Sequence, residues 1–129
     1  MKYTYPAIFK PAKEGGYNVE FPDLPGCFTC GEDLADAMLM AKDAIELWLW
    51  TAETDGIKIP KPSTNLTAQA PDFVNLIAAD TLEYAKQYDN KAVKKNLTIP
   101  NWLNTNAEKA GVNFSQVLQE ALKHKLDLS

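Results

Sequence analysis

Two runs of alternating apolar residues, Tyr3, Tyr5, Ala7 and Phe9 and then Tyr17, Val19 and Phe21, flank Glu14-Gly15-Gly16. Successive side chains of a strand leave on opposite faces, so each run offers one apolar face. A Gly-Gly pair between two such runs signals a hairpin, because glycine reaches the positive φ that a tight turn needs. The chain is therefore expected to open as an antiparallel hairpin with one face in need of cover. Pro22, Pro25 and Gly26 then interrupt it, and a third short strand is expected over residues 27–30.

The next segment supplies the cover. Leu34, Met38, Ala41, Ile45, Trp48 and Ala52 recur at spacings of 4, 3, 4, 3 and 4, a helical stripe. Asp33 suits the N-cap, Asp36 favours the first turn against the helix dipole, and Gly56 can take the left-handed conformation that ends a helix. Leu39, Met40, Leu47 and Trp50 fall largely outside the stripe, which fits either a second contact surface or burial beneath the following loop. Residues 59–71 hold three prolines and read as irregular chain. A fourth strand is expected over residues 73–78 and a short helix over 81–88, with Asp89-Asn90 as a joint. The N-terminal unit is thus β-β-β-α-β over residues 1–88, and the fold class α+β.

The tail, residues 92–129, has its own pattern. Residues 93–99 are strand-like and Pro100 stops them. Trp102, Leu103, Asn106, Ala107 and Ala110 suggest a helix ending at Gly111. A second helix follows Asn113, with Gln116 placed to reach back in a capping box, and Val117, Leu118, Ala121, Leu122 and Leu126 make its stripe. Chains below about 40 residues seldom enclose a core without a metal, disulfides or a partner. With no metal-ligand set present, the tail is expected to dimerise or to dock on something.

Composition and charge narrow the function classes. Of 129 residues, 46% are apolar and 23% charged, which excludes a disordered or fibrous chain. No stretch nears the roughly 18–20 uncharged apolar residues of a membrane span, and Met1-Lys2-Tyr3-Thr4-Tyr5 lacks the apolar core of a signal peptide. Two cysteines are too few for a disulfide scaffold, so a soluble, cytoplasmic protein with no membrane partner is expected. Residues 1–90 carry seven lysines against fourteen Asp and Glu, a net −7, whereas residues 91–129 carry six against three, a net +3; arginine is absent. An acidic body joined to a basic tail suggests two partners of opposite polarity.

Tyr5-Pro6-Ala7-Ile8-Phe9, Glu14-Gly15-Gly16-Tyr17 and Phe21-Pro22-Asp23-Leu24-Pro25-Gly26-Cys27 resemble the HicB antitoxin family, and Leu34, Ala37, the Ala- and Leu-rich run to Gly56 and Ile59-Pro60 continue the likeness. The tail, from Asn96-Leu97-Thr98-Ile99-Pro100 through Ala110-Gly111-Val112-Asn113-Phe114-Ser115, resembles ribbon-helix-helix DNA-binding domains. The resemblance implies a two-part, non-enzymatic machine. Its N-terminal domain, similar to a truncated ribonuclease H fold, would bind and block HicA, a small mRNA-cleaving toxin. Its C-terminal domain would dimerise and repress the operon encoding the pair. Some family members use a helix-turn-helix tail, but one strand before two helices favours the ribbon here. The expected assembly is a homodimer through the tail, open to a tetramer through N-terminal contacts. The alternative is a stand-alone ribbon-helix-helix transcriptional repressor with a ligand-sensing N-terminal domain.

The chemistry expected of the tail follows from alternation. Leu97 and Ile99 point one way along the strand, and Lys94, Asn96 and Thr98 the other. Two antiparallel copies would bury the first pair and present six polar side chains to the major groove of operator DNA, where a two-stranded ribbon fits and base pairs are distinguishable. Phosphate contacts are expected from the backbone at Phe114 and Ser115, at the positive end of a helix, and from Lys91 and Lys95. Toxin anchors are expected at Asp23 in the proline-rich turn and around Trp48 and Trp50. Cys27-Phe28-Thr29-Cys30 has the spacing of half a zinc site, but a strand would send the two thiols to opposite faces. No metal or cofactor is therefore expected. Glu20, Asp23, Glu32, Asp33 and Asp36 cluster as a magnesium nuclease would require, but helix and turn roles already account for Asp23, Asp33 and Asp36. The only histidine, His124, lies in the tail, so no Ser-His-Asp or Cys-His set assembles. No catalytic residue is assigned.

Overall fold

Eight elements follow one another along Met1–Ser129 of the computed structural model: β1 (Lys2–Pro11), β2 (Tyr17–Glu20), β3 (Phe28–Gly31), α1 (Leu34–Asp55), β4 (Phe73–Asp80), α2 (Thr81–Tyr88), α3 (Asn101–Lys109) and α4 (Phe114–Lys125). They divide into two compact units, Met1–Lys91 and Ala92–Ser129.

In the first unit the strands form one antiparallel sheet in the order β3-β2-β1-β4. The Gly15-Gly16 hairpin sets Pro11 opposite Tyr17 and Phe9 opposite Val19. The longest ladder joins β1 to β4, from Lys2↔Asp80 to Phe9↔Phe73. Residues directly opposite in such a ladder share a face, so Tyr5, Phe9, Val19 and Ile77 meet on one side, where α1 covers them. There the Phe9 and Phe73 rings stack 5.2 Å apart, with Tyr17 edge-on to Phe73 at 6.1 Å. Strand β3 lies one residue later than expected, and β4 runs two residues past the expected end.

Helix α1 starts where Asp33 accepts the Asp36 amide at 2.8 Å. It ends at Gly56, whose φ of 69° lets its own amide reach the Ala52 carbonyl. The buried row is Ala37, Ala41, Ile45, Leu49 and Ala52, whereas Leu34 is exposed. The buried face is thus turned from the expected stripe of Leu34, Met38 and Trp48. The reason is steric. Gly31 has no side chain, and a Cβ there would sit 2.3 Å from the Ala37 nitrogen, so the helix start lies almost on β3. Small Ala37 and Ala41 suit that approach, and Leu34, Met38 and Trp48 are left on the flanks.

Residues 57–72 form neither helix nor strand, and side chains pin them to the unit. The Tyr5 hydroxyl donates to the Pro60 carbonyl. The Asp23 carboxylate accepts both the Ser63 amide, at 2.9 Å, and the Ser63 hydroxyl, at 2.5 Å. At the end of β4 the buried Glu46 carboxylate accepts the Asp80 amide at 3.1 Å, and Asp80 caps α2 through the Leu82 amide at 3.0 Å.

The second unit consists of α3 and α4. Asn113 caps α4 by accepting the Gln116 amide at 3.1 Å, but the Gln116 side chain lies 3.4 Å from Glu120 instead of closing the expected capping box. Residues 93–99, expected to be a strand, carry no strand in the single chain. A strand is defined by its ladder, and one copy of this segment has no neighbour to pair with. Neither α3 nor α4 has a single buried residue.

The packing makes a direct prediction. Gly31→Ala should destabilise the chain by about 1–3 kcal/mol, the usual cost of overpacking. Leu39→Ala, on the exposed side of α1, should stay within about 0.5 kcal/mol. Urea unfolding followed by circular dichroism measures both, and equal midpoints would contradict the close approach.

Candidate functional site

In the first unit, two of the expected toxin anchors separate. Trp48 is half-buried, and its indole N–H donates to the Pro25 carbonyl at 2.9 Å, tying α1 to the proline-rich turn. Beside it opens a groove of about 470 Å³, lined among others by Pro25, Cys27, Leu47, Thr51 and Ile57. Trp50, two residues on, leaves the helix about 200° away at 3.6 residues per turn. Its ring lies 5.5 Å from Tyr84 of α2, which in turn lies 4.7 Å from Tyr88. Asp23 belongs to the same turn as Pro25, but its two oxygens are engaged by Ser63. The structure thus places Trp48 beside the turn that holds Asp23, and Trp50 on another flank.

A second hollow of about 400 Å³ borders the other end of β3, lined by Glu14, Tyr17, Cys30, Glu32, Asp36 and Met40 among others. No cation pairs with its carboxylates: the ion pairs are Lys10–Glu20 at 2.9 Å, Lys86–Glu83 at 3.3 Å and the Met1 amine with Asp80 at 3.9 Å. The sequence pattern did not reveal this hollow. Its only signal was that Met40 falls outside the apolar stripe.

Elsewhere the titratable groups have structural explanations. Burial, and then the Glu53 carboxylate that accepts the Tyr3 hydroxyl at 2.6 Å, pushes that phenol up to about 12. Burial alone pushes the Cys27 thiol up to about 11, whereas Cys30 is exposed. Of the five acids that cluster in sequence, Glu20 is paired with Lys10, Asp23 with Ser63, and Asp33 caps α1. No three His, Cys, Asp or Glu side chains converge as a metal would require. No helix is long and apolar enough to cross a membrane.

In the second unit, Lys94, Lys95, Asn96 and Thr98 are all exposed on the segment without regular structure, while Lys91 closes the first unit. Their neighbours Val93 and Leu97 are 78% and 64% exposed. Phe114 and Ser115 are the first two residues of α4. Because Asn113 takes the Gln116 amide, the amides at Phe114 and Ser115 remain ahead of it at the positive helix end.

The sequence and fold match known proteins. The family described as HicB-like antitoxin of bacterial toxin-antitoxin system matches residues 5–121. The chain belongs to that family. It is 46% identical over 59 residues to Antitoxin HicB of Escherichia coli strain K12, a match covering 46% of this chain and 43% of that one. It is 32% identical over 97 residues, 74% of this chain and 72% of the other, to an uncharacterised 14.9 kDa protein of Haemophilus phage HP1. Its fold resembles that of a chain in a toxin-antitoxin complex from Streptococcus pneumoniae, with a TM-score of 0.61, 26% identity and 97% and 99% of the two chains covered.

The two thiols should report the burial directly. At pH 8 a thiol reagent is expected to titrate one equivalent per native chain, from Cys30, and two after denaturation, because Cys27 is both enclosed and held protonated. Equal labelling of Cys30→Ser and Cys27→Ser variants would show that Cys27 is open to solvent.

Proposed function

We propose that this protein is the antitoxin of a toxin–antitoxin pair: residues 1–88 bind and neutralise a HicA-like mRNA-cleaving toxin, and residues 92–129 form a ribbon-helix-helix dimer that represses the operon. It acts by binding, not by catalysis. The observation that carries this reading is the contrast between the two units. The first encloses its own core of Tyr5, Phe9, Val19, Ile45 and Leu49, whereas the second leaves Leu97, Trp102, Val117 and Leu126 more than half exposed. A unit of that size with no interior needs a second copy. Family membership and the fold shared with a toxin–antitoxin complex chain support the toxin half of the reading.

In the dimer, the two copies of residues 93–99 pair as an antiparallel ribbon, with Leu97 and Ile99 turned onto the helices. Lys94, Asn96 and Thr98 of each copy then meet base edges in the major groove, where asparagine can bond adenine at two points. The Phe114 and Ser115 amides bind phosphate at the N-terminus of α4, helped by Lys91 and Lys95. With lysine alone, neutralisation is by compact point charges, not bidentate clamps. About 4 to 6 phosphates engaged would make log K fall on log salt with a slope of roughly −4 to −5.

Two measurements test the two halves. Co-expression with the adjacent gene should yield a co-purifying complex with a small basic protein; its absence defeats the antitoxin reading. In gel shifts at matched salt, Asn96→Ala should relax preference at one base by about 1–3 kcal/mol, while Lys95→Ala should weaken all sequences alike and lower the salt slope by about 1. Unchanged operator preference in Asn96→Ala would show that the wrong face of the strand was assigned.

A further inference from the structure

The two hollows of the first unit lie along a single flank. Asp36, Met40, Ala44, Leu47 and Thr51 follow at spacings of 4, 4, 3 and 4 on α1; the first two border the acidic hollow and the last three the apolar groove. Both hollows also border β3, through Phe28 in one and Cys30 and Gly31 in the other. Strand β3 is an edge of the sheet, bonded to β2 alone. From Asp36 to Thr51 the helix rises about 22 Å, a length comparable to one side of a small protein interface of roughly 800 Å² per partner.

We infer that this α1–β3 flank is where the toxin docks, with an apolar side chain of the toxin seated in the groove beside Trp48 and cationic side chains over Glu14, Glu32 and Asp36. The inference rests on the antitoxin reading and names the surface that reading leaves open. Charge complementarity selects the occupant. The three carboxylates have no cation of their own chain within ion-pairing distance, and residues 1–90 carry a net −7. A protein that binds RNA must present cations to phosphate, so its working face is complementary to this acidic rim. The groove next to it has no charged lining residue and holds Trp48 by its bond to Pro25. That makes a preorganised apolar seat of the kind that carries most binding energy, with charges at the side that speed and orient encounter. Asp23 acts here as a positioning residue: by holding Ser63 it fixes the turn whose Pro25 fixes Trp48.

The test uses the full chain and the HicA-like toxin from the adjacent gene, in a catalytically silenced form, with binding followed by interferometry. Leu47, 50% exposed, can be changed to lysine without opening the core. Leu47→Lys should weaken toxin binding about 30-fold or more, the mark of a hot-spot residue, mainly through faster dissociation. Ile57→Lys is a second probe of the same groove off the helix, and Leu76→Lys, on β4 and outside both hollows, should bind as the parent does. Glu14→Lys combined with Glu32→Lys should slow association about tenfold at low salt, a difference that disappears near about 1 M salt. If the parent binds and Leu47→Lys and Ile57→Lys bind equally well, the flank is wrong while the antitoxin reading stands. If the parent itself fails to bind the toxin, that reading falls and the docking surface with it. If Leu47→Lys alters the sedimentation of the chain alone and not toxin binding, the flank is an interface between copies and the inference is overturned.

Discussion

The close approach of α1 to the sheet at Gly31 is the constraint on which the first unit depends. With no Cβ at Gly31, the backbone of Ala37 comes against β3 at a distance that no other residue would permit. Once that point is fixed, the row of Ala41, Ile45, Leu49 and Ala52 must follow it down onto the sheet. Alanines bury little area, but they allow dense packing, and dispersion gained over many close atom pairs compensates for the missing bulk. Ile45 and Leu49 add the larger apolar payload against Tyr5 and Phe9. The same geometry produces the flank. Trp48 is too large to lie beneath the helix and stands beside it, leaving small Ala44 and Ala52 to line the groove.

A second set of interactions keeps the irregular chain in place. Residues 57–72 have no ladder or helix to satisfy their backbone, so Tyr5 bonds Pro60 and Asp23 bonds Ser63. Leaving a buried polar group unpaired costs more than a made hydrogen bond gains, and no buried side-chain nitrogen or oxygen here lacks a partner. Glu46 shows the same economy. It is a carboxylate on the buried side of α1, tolerated because it accepts the Asp80 amide where β4 gives way to α2.

What was legible in the sequence was local, and what was not depended on contacts distant in the chain. The Gly15-Gly16 hairpin, the Asp33 cap and the Gly56 stop are written in a few adjacent residues, and each is found as expected. The face of α1 is not local: spacings of 3 and 4 identify a helix but leave its rotation free within a turn, and Gly31, outside the helix, decides it. Trp48 and Trp50 are neighbours in sequence, yet the helical rotation sends one to the turn at Pro25 and the other to Tyr84. The acidic hollow combines residues from the hairpin, β3 and α1, and no single window of sequence contains them. The missing strand at residues 93–99 is the extreme case, since on the proposed reading its ladder hydrogen-bond partners all belong to another molecule.

That dependence has an energetic consequence for the tail. Helices of 9 and 12 residues are marginal in water by themselves, because nucleation costs more than so few turns return. Neither helix has a buried residue to make up the difference. On the dimer reading, the apolar area of Leu97, Ile99, Trp102 and Val117 is removed from water only when two chains meet, so ordering of the tail and association become one equilibrium. Its position then depends on protomer concentration, and the DNA-reading face exists only in the associated state. The first unit carries no such dependence, because its core closes within one chain. On the proposed reading, toxin capture would therefore persist at concentrations where the tails have come apart, whereas repression would require their association.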